Sequence, residues 1–197
     1  IELQRKAFEV LKNTGTKCNA IWFWGDSLAP EFPKAEAGRC ALGETILMRG
    51  ITAAANIPIF PTEEAGRSFE AFLTEKADKA IAALNGGYER AYVHIQATDD
   101  LSHDRNPLGK RAAIEAADAL VVRRLMNEVE GDFRLLVLSD HFTYSDTGSH
   151  GGDPVPCLYF DSTCPGNNPS ARFTEALCDE RYELTTAKGT VEMMEKR

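Results

Sequence analysis

The stretch that decides the fold lies at positions 133–141, and its sequence is Phe133-Arg134-Leu135-Leu136-Val137-Leu138-Ser139-Asp140-His141. Its first six residues are apolar except for one arginine, and they show no apolar–polar alternation. Such a run is typical of a strand that is covered by helices on both faces. Three polar residues follow at once, so the stretch predicts a buried strand that ends at a polar cluster. Strands of this kind belong to the α/β class of fold.

The flanking sequence alternates further strand patterns with helix patterns. Short apolar runs predict strands at 20–24, 57–60, 91–95 and 156–160. Apolar residues at helical spacing predict helices at 41–55, 68–84 and 109–129. The chain also opens in a helical pattern, and the tail from residue 170 is weakly helical. A chain of 197 residues with 43% hydrophobic composition has room for one ordinary domain with a sizeable core, so we expect a layered α/β domain.

Composition excludes several classes of protein. Lys and Arg number 22 against 30 Asp and Glu, a net charge of −8, which argues against a broad nucleic-acid surface. No apolar run approaches the roughly 18 residues of a membrane span, so no membrane partner is expected. The five cysteines include no CxxC pair, and we expect no signal peptide. These features disfavour a disulfide scaffold and predict a cytoplasmic protein. Homo-oligomerisation stays open.

Two of the predicted strands end in polar clusters that carry most of the histidines. Three of the four histidines lie there, each near an aspartate, and the candidate ligands are Asp99, His103, Asp140, His141 and His150. Ligands collect at the carboxyl ends of strands in open α/β sheets. Carboxylate oxygens suit Mg²⁺ and Mn²⁺, and imidazole suits Zn²⁺ and Mn²⁺. The combination predicts a divalent-metal site.

The spacing of these residues constrains how they could share an ion. Asp99 and His103 are four residues apart, so one helical turn would direct both at one ion. Asp140 and His141 are adjacent and point apart in an extended chain. They could face one ion only if the backbone turns, or they could serve two neighbouring ions. His150 lies in a glycine-rich loop that can fold back over the site.

The fourth histidine and the two tryptophans have simpler interpretations. His94 lies within the predicted strand at 91–95, and we interpret it as a core histidine with satisfied hydrogen bonds. Trp22 and Trp24 alternate on the predicted strand at 20–24, and packing explains them best.

At the candidate ligands the sequence resembles the metal-binding motifs of the alkaline phosphatase superfamily. It is most similar to the archaeal-type cofactor-independent (2,3-bisphosphoglycerate-independent) phosphoglycerate mutases. The motifs are, in chain order, Asp99-Asp100-Leu101-Ser102-His103, Ser139-Asp140-His141 and His150-Gly151-Gly152-Asp153-Pro154-Val155-Pro156. The similarity covers about residues 18–195, nearly the whole chain.

The resemblance implies a fold, a cofactor set and an activity. The fold would be an alkaline phosphatase-like three-layer α/β/α sandwich with a mostly parallel or mixed central sheet. Two divalent ions (Mn²⁺, Mg²⁺ or Zn²⁺) would be bound, one by Asp99, His103 and His150 and the other by Asp140 and His141. Lys76 matches a family lysine near the substrate phosphate. The family interconverts 3- and 2-phosphoglycerate in glycolysis through a phosphoserine intermediate. Two metal ions can hold the attacking and leaving oxygens of such a phosphoryl transfer.

The sequence also departs from the family pattern. The family's serine nucleophile and one further aspartate ligand lie in an N-terminal segment, and nothing here matches it. Residues 1–197 are therefore expected to be the carboxyl-terminal part of a metal-dependent phosphatase or mutase domain. Gln96 stands where an acidic residue is common, and His141-Phe142-Thr143-Tyr144 replaces a proline-containing loop. Another metal-dependent phosphoryl-transfer reaction of the superfamily is therefore an alternative.

Two further hypotheses belong to other classes. Gly25-Asp26-Ser27-Leu28 has the GDSL string of a serine esterase family, with Ser27 as nucleophile, His103 as base and Asp100 as its orienting partner. Against it, the remaining candidate ligands would have no explanation, and four-letter matches arise easily by chance. The other hypothesis is a non-catalytic metal-binding fragment, which the missing nucleophile favours.

Overall fold

The computed structural model describes residues 1–23, 28, 31–62, 66–164, 166, 173–174 and 185–195. The chain divides into two compact units, Ile1–Pro33 and Lys34–Arg197. The first unit contains helix α1 (Glu2–Leu11), which confirms the helical pattern at the start of the chain.

The prediction of a strand at 20–24 is wrong for the part that the structure describes. Residues 20–23 lie outside any strand, and none of the described strands pairs with them. An apolar run becomes a strand only where a neighbour accepts its backbone hydrogen bonds. The prediction that Trp22 packs in the interior is wrong as well, because this side chain is 85% exposed. Trp24 and Ser27 lie outside the described residues.

The second unit is built on a parallel sheet of three strands, in the order β2-β1-β3. Its strands are β1 (Arg39–Leu42), β2 (Ile59–Phe60) and β3 (Arg90–Val93). The last three residues of central strand β1 have no exposed surface, as expected for a parallel strand covered on both faces. Helix α2 (Ile46–Ala55) connects β1 to β2, and helix α3 (Phe69–Asn85) connects β2 to β3.

The prediction of a helix at 41–55 is wrong at its beginning. Ala41 and Leu42 belong to β1, and α2 begins only after Thr45. The Thr45 hydroxyl accepts the backbone N–H of Met48, which is the N-terminal cap that starts the helix. Asn56 ends the helix in a left-handed conformation with φ 60°.

Helix α3 confirms the predicted helix at 68–84 and provides most of the core. The Ser68 side chain caps its N-terminus by accepting the backbone N–H of Ala71. The helix packs against strand β1 and the segment around Val121. The buried core comprises Leu42, Phe72, Leu73, Ala77, Ala80, Ile81, Val121 and Leu125.

The predicted helix at 109–129 forms with one interruption. Helices α5 (Pro107–Ala117) and α6 (Arg123–Glu128) are joined by a π-helical turn at Asp118–Val122. A shorter helix, α4 (Ala97–His103), precedes them. The π turn places Val121 in the core, so the apolar face continues through the change in helix type.

The remaining strands form two antiparallel pairs. Strand β4 (Arg134–Leu138) pairs with β7 (Cys157–Asp161), which confirms the strands predicted at 133–138 and 156–160. Strands β5 (Phe142–Tyr144) and β6 (Ser149–Gly151) form a hairpin between them. At the end of the β4–β7 pair, Thr163 and Arg134 hold the pKa of Asp161 below its usual range through hydrogen bonds. Helix α7 (Ala187–Glu195) is the last described element.

The α/β class of the fold is confirmed by the parallel sheet and the helices that connect its strands. Among the helices that the structure describes, none has both the length and the apolar composition needed to cross a bilayer.

The buried face of α3 generates a stability prediction. Leu73 has no exposed surface, whereas Leu108 on α5 is 79% exposed. Leu73→Ala is expected to lower the free energy of unfolding by about 2–5 kcal/mol, because it leaves a cavity in the core. Leu108→Ala should change it by less than about 0.5 kcal/mol. Urea denaturation followed by circular dichroism measures both values, and equal losses would contradict this assignment of the core.

Candidate metal centre

Helix α4 carries the first two candidate ligands on one face. Asp99 and His103 are separated by one helical turn, as the sequence predicts, and Asp99 Oδ1 lies 3.4 Å from His103 Nε2. The helix begins four residues after β3 ends, so both side chains lie near the carboxyl edge of the parallel sheet.

The β5–β6 hairpin brings the third ligand to this helix. Thr143 and His150 are directly opposite each other in the hairpin, so their side chains share one face. The turn contains Gly148 with φ +70°, where a Cβ would lie 3.0 Å from the backbone oxygen of His103. This close approach places His150 Nε2 3.1 Å from His103 Nε2 and 3.7 Å from Asp99 Oδ1.

These three atoms have the spacing of ligands around a single ion. Asp99 Oδ1, His103 Nε2 and His150 Nε2 lie 3.1, 3.4 and 3.7 Å from one another. A triangle with these edges has a circumradius of about 2.0 Å, close to typical Zn–N and Zn–O distances of ~2.0–2.2 Å. The donor set therefore fits a divalent cation without rearrangement.

The hydrogen bonds of two imidazole rings leave the correct nitrogen free to bind a metal. His103 Nδ1 contacts the carbonyl oxygen of Gly148 at 2.8 Å, and His141 Nδ1 contacts the carbonyl oxygen of Phe142 at 3.2 Å. A carbonyl only accepts, so each Nδ1 must carry the hydrogen. In the neutral ring Nε2 then presents a lone pair, as in histidines that bind metals.

The two remaining candidate ligands, Asp140 and His141, follow β4. The rings of His141 and His150 are 4.0 Å apart between centroids. Asp99, His141 and His150 each offer a ligand atom within 4.8 Å of the others. Asp140 Oδ2 lies 3.6 Å from His141 Nε2, and its side chain is 88% exposed. The structure thus brings His141 to the first three ligands and leaves Asp140 at the rim, and the division between two ions stays a prediction.

Two residues that contact the Asp99 carboxylate were not among the predicted site residues. Thr143 Oγ1 lies 2.6 Å from Asp99 Oδ1, and Gln96 Nε2 lies 2.9 Å from Asp99 Oδ2. The spacing offers a signal for Thr143, because it is two residues after His141 and shares its face in an extended chain. Gln96 stood out only as a departure from the family pattern.

Lys76, the predicted substrate-binding residue, lies on the buried face of α3. Its side chain has no exposed surface, and Nζ lies 2.7 Å from Glu44 Oε2. Nζ also donates a hydrogen bond to the backbone oxygen of His94. Thr62 Oγ1 donates to the same Glu44 oxygen at 3.3 Å. These groups follow the carboxyl ends of all three parallel strands, and the role of Lys76 in binding substrate stays a prediction.

The interpretation of His94 needs correction. It lies one residue beyond β3 rather than within the strand, and its side chain is half-buried. Among the described residues, its Nδ1 is buried without a hydrogen-bond partner, so the residue is not satisfied as predicted. Its carbonyl accepts from Lys76 and its N–H donates to Leu42, so backbone contacts hold it in place.

The contacts of His103 bear on the esterase hypothesis. His103 Nδ1 faces the Gly148 carbonyl, and Asp100 Oδ1 accepts a hydrogen bond from Gln96 at 3.3 Å. A catalytic base oriented by Asp100 would need that carboxylate on its Nδ1. Within the described part of the chain this pairing is absent, and the nucleophile Ser27 lies outside that part.

Comparison with known proteins agrees with this geometry. The sequence profile of the Metalloenzyme superfamily matches residues 20–191. The 2,3-bisphosphoglycerate-independent phosphoglycerate mutase of Pyrobaculum calidifontis is 31% identical over 165 residues, which is 81% of this chain and 39% of the relative. The enzyme of the same name from Aeropyrum pernix is 30% identical over 138 residues, or 68% of this chain and 32% of the relative.

A solved structure supports the same relationship. A protein from Pyrococcus horikoshii superposes with a TM-score of 0.62 and 26% identity, over 72% of this chain and 36% of that one. The chain thus spans 32–39% of the length of these relatives. Fold and site together define an α/β protein that brings imidazole and carboxylate side chains together. The chain belongs to the Metalloenzyme superfamily.

The buried pair of Lys76 and Glu44 generates a second stability prediction. Lys76→Met removes the ammonium group, which lies 4.4 Å from the centroid of the Phe72 ring, and leaves the Glu44 carboxylate without its cation. We expect the free energy of unfolding to fall by roughly 2 kcal/mol or more, because an unpaired charge would remain in a largely buried place. Thermal and urea denaturation measure this loss.

Lys79→Met is the matched control for this prediction. Lys79 lies on the same helix, is 36% exposed, and pairs with Glu75 at 2.6 Å. Its loss should cost less than about 1 kcal/mol, because exposed ion pairs contribute little. A larger effect at Lys79 than at Lys76 would contradict the importance of the buried pair.

Proposed function

We propose that this chain supplies the metal-binding part of a cofactor-independent phosphoglycerate mutase, an isomerase of 3- and 2-phosphoglycerate. The observation that carries the proposal is the convergence of Asp99, His103 and His150 atoms at ligand spacing, with His141 against them. The names of the relatives supply the reaction and the phosphorylated substrate. Glycolysis and a cytoplasmic location belong to the same proposal.

The residues of this chain would hold two divalent ions, with Mn²⁺, Mg²⁺ or Zn²⁺ as candidates. Asp99, His103 and His150 are assigned to one ion, and Asp140 with His141 to the other. When bound, such ions supply Lewis-acid stabilisation of the charge on a transferring phosphoryl group. The chain's own part is to orient carboxylate and imidazole groups before the substrate arrives. The assignment of Lys76 to the substrate phosphate rests on the family resemblance.

The nucleophile is assigned to a segment outside residues 1–197. A phosphoryl group must rest on a nucleophile between leaving one substrate oxygen and attacking another. The serines near the site are Ser102, Ser139 and Ser145, and none occupies the family's nucleophile position. Ser102 is buried and donates its hydrogen bond to the backbone of its own helix, at Thr98. The partial coverage of the relatives is consistent with this division.

The metal assignment is tested by comparing two histidines. His103→Ala is expected to weaken Mn²⁺ binding by more than about 100-fold, because it removes a ligand rather than a supporting contact. His94→Ala is the control, since His94 directly follows β3 and is not assigned as a ligand. Calorimetric titration of the folded, metal-free proteins measures both dissociation constants. Equal losses of affinity would contradict the separation of ligand from non-ligand histidine.

The reaction is tested by a phosphoglycerate mutase assay with added Mn²⁺. Residues 1–197 alone are expected to show no turnover, because the serine that carries the phosphoryl group is assigned elsewhere. Joining them to a segment that contains the family's serine and its aspartate ligand should restore activity. Full turnover by the isolated chain, or a phosphoserine mapped within it, would overturn the assignment of the nucleophile.

A further inference from the structure

We infer that Thr143 and Gln96 are positioning residues that clamp the Asp99 carboxylate in the orientation a divalent cation requires. This Asp99 clamp, as we name the pair, rests on the proposed function. Thr143 Oγ1 is 2.6 Å from Asp99 Oδ1, and Gln96 Nε2 is 2.9 Å from Asp99 Oδ2. Each carboxylate oxygen therefore has its own donor, and the two donors come from different segments of the chain.

The direction of both hydrogen bonds follows from the acceptor. An ionised carboxylate only accepts, so the Thr143 hydroxyl must donate its single hydrogen to Asp99. The hydroxyl oxygen also lies 3.2 Å from His141 Nδ1 and can only accept there, so the single Nδ1 hydrogen is shared between this oxygen and the Phe142 carbonyl. The Gln96 amide presents one hydrogen to Asp99 and the other to Asp100 Oδ1 at 3.3 Å. The hydroxyl thus ties Asp99 to His141.

The clamp is itself held in place by the fold. Thr143 is buried in strand β5, directly opposite His150 of β6. The carbonyl oxygen of Thr143 accepts a hydrogen bond at 2.9 Å from Nζ of Lys110, which lies on α5. A single residue therefore contacts Asp99 on α4, Lys110 on α5, and its hairpin partner. Its hydroxyl has little freedom to leave the carboxylate.

The clamp leaves the metal-binding capacity of Asp99 intact. Oδ1 has two lone-pair directions, and the Thr143 hydroxyl occupies one of them. The same oxygen lies 3.4 Å from His103 Nε2 and 3.7 Å from His150 Nε2, at ligand spacing. Orienting the carboxylate in advance removes the cost of ordering it when the cation binds.

The test is Mn²⁺ titration of folded, metal-free variants by calorimetry. Thr143→Val removes the hydroxyl at nearly constant volume, and Gln96→Met removes the amide at similar length. Each is expected to raise the Mn²⁺ dissociation constant by about 10–100-fold, the usual effect of losing a partner of a metal ligand. Thr143→Ser keeps the hydroxyl and should bind within about threefold of the wild type.

Two matched controls separate positioning from general stability. Thr52→Val removes a buried hydroxyl whose partners are carbonyls of its own helix α2, and Gln4→Met changes an exposed glutamine of α1. Both should leave Mn²⁺ affinity unchanged, even where the melting temperature of the metal-free protein falls. Should Thr143→Val not fold, Gln96→Met and Thr143→Ser decide the question.

The outcomes distinguish this inference from the function on which it rests. Normal Mn²⁺ binding by Thr143→Val and Gln96→Met, beside normal wild-type binding, would overturn the clamp alone. Equal weakening in the control variants, or in Thr143→Ser, would also overturn it. Failure of the wild type to bind any of Mn²⁺, Mg²⁺ and Zn²⁺ in the same titration would overturn the proposed function together with the clamp.

Discussion

The complete burial of the last three residues of strand β1 is the constraint on which the second unit depends. Cys40, Ala41 and Leu42 have no exposed surface, so both faces of the strand must be covered and both edges paired. Parallel neighbours meet the second requirement, and parallel strands need long connections, which here are α2 and α3. The carboxyl ends of the three strands therefore meet at one edge. Every polar group there must find a partner within the protein or bind one from outside.

Two clusters of polar residues lie near that edge, and their polar groups find partners in different ways. Glu44 and Lys76 neutralise each other, and Thr62 and the His94 carbonyl complete their hydrogen bonds. At the metal centre, by contrast, imidazole nitrogens face each other. With Nδ1 of His103 protonated toward Gly148, the lone pair of its Nε2 points at His150 Nε2, 3.1 Å away. A cation placed between them would accept that lone pair, and the Asp99 carboxylate beside them would favour its positive charge.

Much of this structure could be predicted from local sequence patterns. The long helix α3 follows from apolar periodicity, and strands β3, β4 and β7 follow from short apolar runs. Strand β1 could not be separated from α2, because Ala41 and Leu42 suit either element and only the Thr45 cap marks the boundary. At 20–24, by contrast, the sequence predicts a strand that residues 20–23 do not form. Its composition suits a strand, but pairing depends on a neighbour that no local pattern specifies.

The candidate site was predictable in composition and less so in arrangement. The ligand types and their position at strand ends follow from the sequence. The approach of His150 to His103 depends on the register of the β5–β6 hairpin and on a left-handed residue at Gly148, neither of which spacing alone reveals. The same hairpin places Thr143 on Asp99, a contact between residues 44 positions apart. Long-range contacts of this kind are set by tertiary packing, which periodicity does not encode.

The chemistry of the donors explains why the two groups at the sheet edge behave differently. Lys76 gives Glu44 a full positive charge at 2.7 Å, so that carboxylate has little remaining affinity for a metal cation. Thr143 and Gln96 are neutral donors, so they orient the Asp99 carboxylate without cancelling its charge. A lysine or arginine in either place would compete with the cation for the same oxygens. A carboxylate in place of the Gln96 amide would repel the Asp99 carboxylate instead of donating a hydrogen bond to it, unless a cation bridged the two. The amide at position 96 therefore suits a centre whose carboxylate must be ordered before any cation arrives.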